Sequence, residues 1–118
     1  MRPVSANMLS TVDVHSPAGE NVGKVVDVML DTERGSVVYA ELAVGGVLGV
    51  GAKMLAIPPQ ALTFDSGLRC LNLSVDTTAL NDAAGFDRAN PPDSADGALL
   101  ERAPPPRART APSSRSER

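Results

Sequence analysis

The sequence predicts a small all-β barrel with a short C-terminal helix and a disordered tail. Three observations carry that prediction. Apolar and polar residues alternate with the period of a strand from residue 9 to residue 75. Glycine-bearing turns interrupt the alternation at hairpin spacing. Beyond residue 87 the chain turns to Pro, Ala, Arg and Ser, with Leu99 and Leu100 its only large apolar residues. The 118 residues therefore divide into a lead-in (1–7), one barrel domain (8–87) and a tail (88–118) that is not expected to dock.

The elements follow in order. Val12 and Val14 alternate with polar neighbours, and the turn over residues 16–21 gives Gly19 a positive φ. Residues 22–31 form the second strand, with Val26, Val28 and Leu30 inward and Asp27, Met29 and Asp31 outward. A tight turn with Gly35 left-handed leads into residues 37–44, where Val38, Leu42 and Val44 point inward around Ala40. Four glycines between 45 and 51 break the strand, yet Val47, Leu48 and Val50 keep the loop apolar, as in a lid or corner.

The next strand, 53–57, turns Leu55 and Ile57 inward and stops at Pro58-Pro59, where residues 60–62 have room for one 3₁₀ turn. Residues 63–65 and 68–75 flank Ser66-Gly67 as a hairpin. Asp76 caps a short helix over 77–81, with Gly85 as its stop signal. A second short helix over 95–102 has Asp96 as its cap but little to bury.

Charge is divided along the chain. Residues 1–100 hold 6 Lys+Arg against 12 Asp+Glu, whereas 101–118 hold 5 Arg against 2 Glu. An acidic barrel repels phosphate backbones, so no nucleic-acid partner is expected except through the tail. One cysteine excludes an intrachain disulfide. The N-terminus lacks the apolar core of a signal peptide, and no stretch approaches a membrane span, so the expected location is cytoplasmic.

The run Gly19, Gly23-Lys24-Val25, Asp27-Val28, Leu30-Asp31, then Gly35, Val37-Val38-Tyr39-Ala40, then Gly45-Gly46, Leu48-Gly49, Gly51, then Ala56-Ile57-Pro58 and Ala61-Leu62 resembles the PRC-barrel family. Residues 80–87 resemble its closing segment, with Ala84 where a proline is common. The resemblance implies the barrel found in the photosynthetic reaction-centre H subunit and in the C-terminal domain of the ribosome-maturation factor, both adaptor settings without chemistry.

Residue chemistry points the same way. Gly46 and Gly51 have Walker spacing, but Lys53 is displaced by one position and no Ser/Thr follows to hold magnesium. His15, the only histidine, reads as a solvated turn residue, and with Cys70 it gives too few ligands for a tetrahedral metal. Asp13, Asp27, Asp31 and Glu41 read as outward solubilising charges. Cys70 faces away from the aliphatic side and reads as a covered, inert thiol. No catalytic residue, cofactor or metal is expected.

The expected function is therefore a non-enzymatic adaptor that binds another protein, with homodimerisation as a further possibility. Val25, Met29, Val37 and Tyr39 sit among polar neighbours on adjacent strands, as a docking patch anchored by Tyr39 or as a face covered by the helix after Asp76 or by the glycine loop. The candidate interaction surface is Met29, Val37, Tyr39, Val47, Leu48 and Val50. The alternative is a ribosome- or RNA-associated factor whose barrel holds a protein while the basic tail grips RNA.

Overall fold

The computed structural model describes residues 3–45 and 51–102. A helical turn, α1 (Ala6–Leu9), precedes strands β1 (Asp13–His15), β2 (Asn21–Asp31), β3 (Ser36–Val44) and β4 (Lys53–Ile57). A 3₁₀ turn at Pro59–Ala61 leads to β5 (Leu62–Asp65) and β6 (Cys70–Leu73), followed by α2 (Thr77–Asp82) and α3 (Gly97–Arg102). The strands make one curled sheet in the order β4-β3-β2-β1-β6-β5. All pairings are antiparallel except β1 with β6, where Val14 lies opposite Leu71.

The concave face holds the core. Val12, Val14, Val25, Leu42, Leu55, Ile57, Leu71, Leu73 and Val75 are buried there, closed at one end by Ala79 and Leu80 of α2 and by Leu99 of α3. Most of these are the residues that strand alternation turns inward.

β2 departs from the expected alternation. Val25 pairs with Leu42 and Asp27 with Glu41, so two steps on β2 match one on β3 and Val26 is the extra residue of a bulge. The bulge moves Val25 into the core and leaves Val26 38% exposed, the reverse of the sequence expectation. Val28 still packs against the core, but Leu30 lies beyond it, 62% exposed near the hairpin tip.

The turns follow their side chains. Asp31 Oδ1 accepts from the Glu33 and Arg34 amides, and Gly35 takes the left-handed conformation as expected, φ 68°. In the β5–β6 hairpin Asp65 pairs with Cys70, which makes a four-residue loop instead of a two-residue one. Its left-handed residue is Arg69, φ 52°, while Asp65 Oδ1 accepts from the Gly67 and Leu68 amides. The Asp ahead of the turn organises both loops.

Residues 6–9, across the boundary between the expected lead-in (1–7) and the domain, form a helical turn, with Ser10 and Thr11 hydroxyls donating to the Asn7 and Met8 carbonyls. One further expectation is corrected. Residues 88–102 dock on the sheet where a free tail was expected. The Tyr39 hydroxyl donates to the Pro92 carbonyl at 2.8 Å, the Asp96 amide donates to the Ala56 carbonyl at 2.9 Å, and Leu99 is buried. Asp96 caps α3 as read, accepting from the Ala98 amide, but the helix has a role in the core: it packs on α2, and its Leu99 belongs to the core cluster. The tail expected beyond residue 102 lies outside the described residues.

Candidate interaction surfaces

Two surfaces on the β2–β3 hairpin stand out, one open and one covered. The open one lies at the tip, where Leu30 and Val37 pair directly across the strands and are 62% and 41% exposed. Apolar residues paired in this way form one continuous patch. Toward the sheet it joins a groove of about 340 Å³, lined by Val26 and Val28 on one side and by Ala6, Asn7 and Ser10 of α1 and its end on the other.

The covered surface is the convex side of β3 and β4. Tyr39 and Glu41 are both buried, although alternation placed them outward. Residues 84–96, without regular secondary structure, lie over them. The Tyr39 ring meets Phe86 edge to face at 6.2 Å between centroids, and Arg88 Nε stands 3.4 Å from Glu41 Oε1. That approach is an ion pair without hydrogen-bond geometry, so Oε1 is buried with no hydrogen-bond partner. Burial, then the charges of Glu41, Asp93 and Asp27, pushes the Tyr39 hydroxyl above its ordinary pKa.

The predicted surface residues therefore separate. Val37 is exposed and Met29 half-buried, whereas Tyr39 is no exposed anchor because Phe86 and Pro92 cover it. The sequence offered the helix after Asp76 or the glycine loop as a cover, but among the described residues the cover is the segment 84–96 that follows that helix. Val47, Leu48 and Val50 lie outside the described residues. Leu30, the most exposed apolar residue of the hairpin, was assigned inward. Its signal was its position directly before the Asp31 turn, where a strand runs past its core.

The residues with chemical potential are dispersed. Lys53, which Walker spacing brought forward, donates from Nζ to the carbonyls of Leu80, Asn81 and Ala83 at 2.7, 3.0 and 2.8 Å, closing the end of α2. Asp13 pairs with Lys24 at 2.9 Å, and that hydrogen bond and charge hold its carboxyl below the ordinary range. Asp31 pairs with Arg34 at 3.1 Å. Glu41, read as a solubilising charge, is buried beneath Arg88 instead. His15 sits within β1 and is half-buried.

Cys70 is buried, which with the charges of Asp65 and Asp13 pushes its thiol upward and keeps it protonated near neutrality. Among the described residues no three His, Cys, Asp or Glu side chains gather in a metal-holding group, and no helix is long and apolar enough to cross a membrane.

No curated protein matches the chain. A family model described as the PRC-barrel domain matches residues 5–76, a span that contains α1 and strands β1 to β6. With more than half of its 118 residues covered by that match, and its strands curled into one sheet around one core, the chain belongs to the PRC-barrel family.

Proposed function

We propose that this chain is a non-enzymatic interaction module that binds another protein through the tip of its β2–β3 hairpin. PRC-barrel domains are generally non-catalytic and often serve as protein-interaction modules. The observation that carries the reading is the Leu30–Val37 pair, an apolar cross-strand pair left open to solvent and continuous with the groove beside α1. Leaving such a pair exposed forgoes burial worth about 1–2 kcal/mol per side chain, which a protein partner recovers on docking.

The experiment compares tagged full-length protein with its Leu30→Ser/Val37→Ser variant in capture from a lysate of the source cells, with and without nuclease. A protein held by the first and lost from the second, with the circular dichroism unchanged, supports the reading. Retention of the same proteins by both sinks it. A dimer abolished by the variant in sedimentation equilibrium makes the partner a second copy. Ribosomal proteins that leave with nuclease favour the RNA-linked alternative. Because residues 88–102 dock on the sheet, the truncation that probes that alternative removes residues 103–118 only.

A further inference from the structure

The free edge of β4 is filled in an irregular way. On that edge the carbonyls of Met54 and Ala56, two positions apart, accept hydrogen bonds from the amides of Phe86 and Asp96, ten positions apart. A regular extended segment would satisfy the same two carbonyls with amides of residues i and i+2. The intervening residues instead loop over the face, beside an open pocket of about 290 Å³ lined by Ala56, Phe86, Pro92 and Ala95 among others. The segment covers the edge without continuing the sheet.

The face beneath has a matching spacing. Tyr39 and Glu41 stand two positions apart on one side of β3, and Phe86 and Arg88, also two apart, meet them as ring on ring and cation toward anion. The second contact is incomplete, since Glu41 Oε1 is buried without a hydrogen bond and Arg88 is 57% exposed. Glu41 lies opposite Ala56 on β4, whose methyl lets a cation cross over the strand to the carboxylate. Asp27 lies opposite Glu41 on β2, so two carboxylates neighbour each other once the cover lifts. Such a face favours a cationic guest.

We propose that residues 84–96 are a displaceable strap over a peptide-binding face formed by Tyr39, Glu41 and the β4 edge. The occupant that replaces the strap is an extended segment of a partner protein with an aromatic residue followed two positions later by a basic one. It adds a strand to β4 and completes the hydrogen bonding of Glu41. The strap opens between two anchors, α2 held by Lys53 and α3 held by Leu99, so the core stays closed. The inference rests on the chain being a protein-binding module but uses a face separate from the Leu30–Val37 pair.

The test titrates a labelled peptide, Thr-Val-Phe-Thr-Arg-Val-Thr, into the full chain and into its Phe86→Ala/Arg88→Ala variant, read by fluorescence anisotropy. The variant is expected to bind about tenfold or more tightly than the parent, and adding Glu41→Gln should lower that affinity by about tenfold. Leu30→Ser/Val37→Ser in the same background should change nothing, which separates failure here from failure of the hairpin reading. A folded variant that binds no better than the parent overturns the proposal, as does equal binding of a peptide with Ala in place of its Phe and Arg. A variant that dimerises through exchanged straps overturns the assignment of a partner's segment. Hydrogen exchange on the unaltered chain gives an independent reading. The Phe86 and Asp96 amides should exchange about a hundredfold or more faster than the Leu42 amide, and exchange only through global unfolding would overturn the strap.

Discussion

Gly23 and Ala43 approach so closely across the β2–β3 ladder that a Cβ at position 23 would overlap the carbonyl oxygen of Ala43. Gly23 also takes φ 154°, which side-chain-bearing residues rarely adopt, and it pairs with Val14 of β1 on its other side. Gly23→Ala is therefore expected to destabilise the fold by about 2–4 kcal/mol, read as a lower urea midpoint. Gly35→Ala, with open space around its Cβ, should cost only about 1 kcal/mol through its positive φ.

The bulge at Val26 makes a contrast that alternation alone would invert. Val25→Asp places a carboxylate in the core and should destabilise by more than about 3 kcal/mol, whereas Val26→Asp should stay within about 1 kcal/mol. Equal effects in urea unfolding would remove the bulge from the account.

Lys53→Met should loosen the end of α2, since three carbonyls lose one charged donor. The expected cost is about 1–2 kcal/mol, with faster amide exchange confined to residues 79–83.

Alkaline stability follows from two raised groups. In the folded chain both Cys70 and Tyr39 hold their protons above their ordinary pKa values of 9.0 and 10.0, chiefly because they are buried. Their contribution is fully present below those values. As pH rises past them the unfolded chain releases protons first, so stability falls until the folded groups ionise as well. Unfolding midpoints should decline from about pH 9 upward, Cys70→Ala should flatten the first part of the decline, and Tyr39→Phe the second. Thiol reagents should reach Cys70 only at the rate at which the chain opens.

Much of this fold was legible because local rules and the global fold agree. Leu42, Leu55, Ile57, Leu71 and Leu73 alternate on strands bounded by Gly, Pro and Asp turns, and they fill the core. Asp76 caps α2 as its sequence position announces. A bulge has no periodic signature, so Val25 and Val26 exchanged places. The covered face was hidden for another reason. Nothing within Tyr39 or Glu41 records that a proline-rich segment some fifty positions on lies over them, since such a segment has no strand or helix period to read. The exposed pair was half legible: Val37 was placed outside, and Leu30 was not, because alternation tells side from side but not where a core ends.

One of the two central strands, β1, is also the shortest of the six described. β1 has three residues, and only Val14 and His15 are paired to β6, at Leu71 and Asn72. The β2–β3–β4 meander and the β5–β6 hairpin can each form from neighbouring residues, but the seam between them waits for the chain to close a loop of more than fifty positions. Assembly is therefore expected to have a late, rate-setting step at this seam. Under tension applied through the N-terminus, the molecule should yield at that seam first and part into two hairpin-built halves before either half unravels.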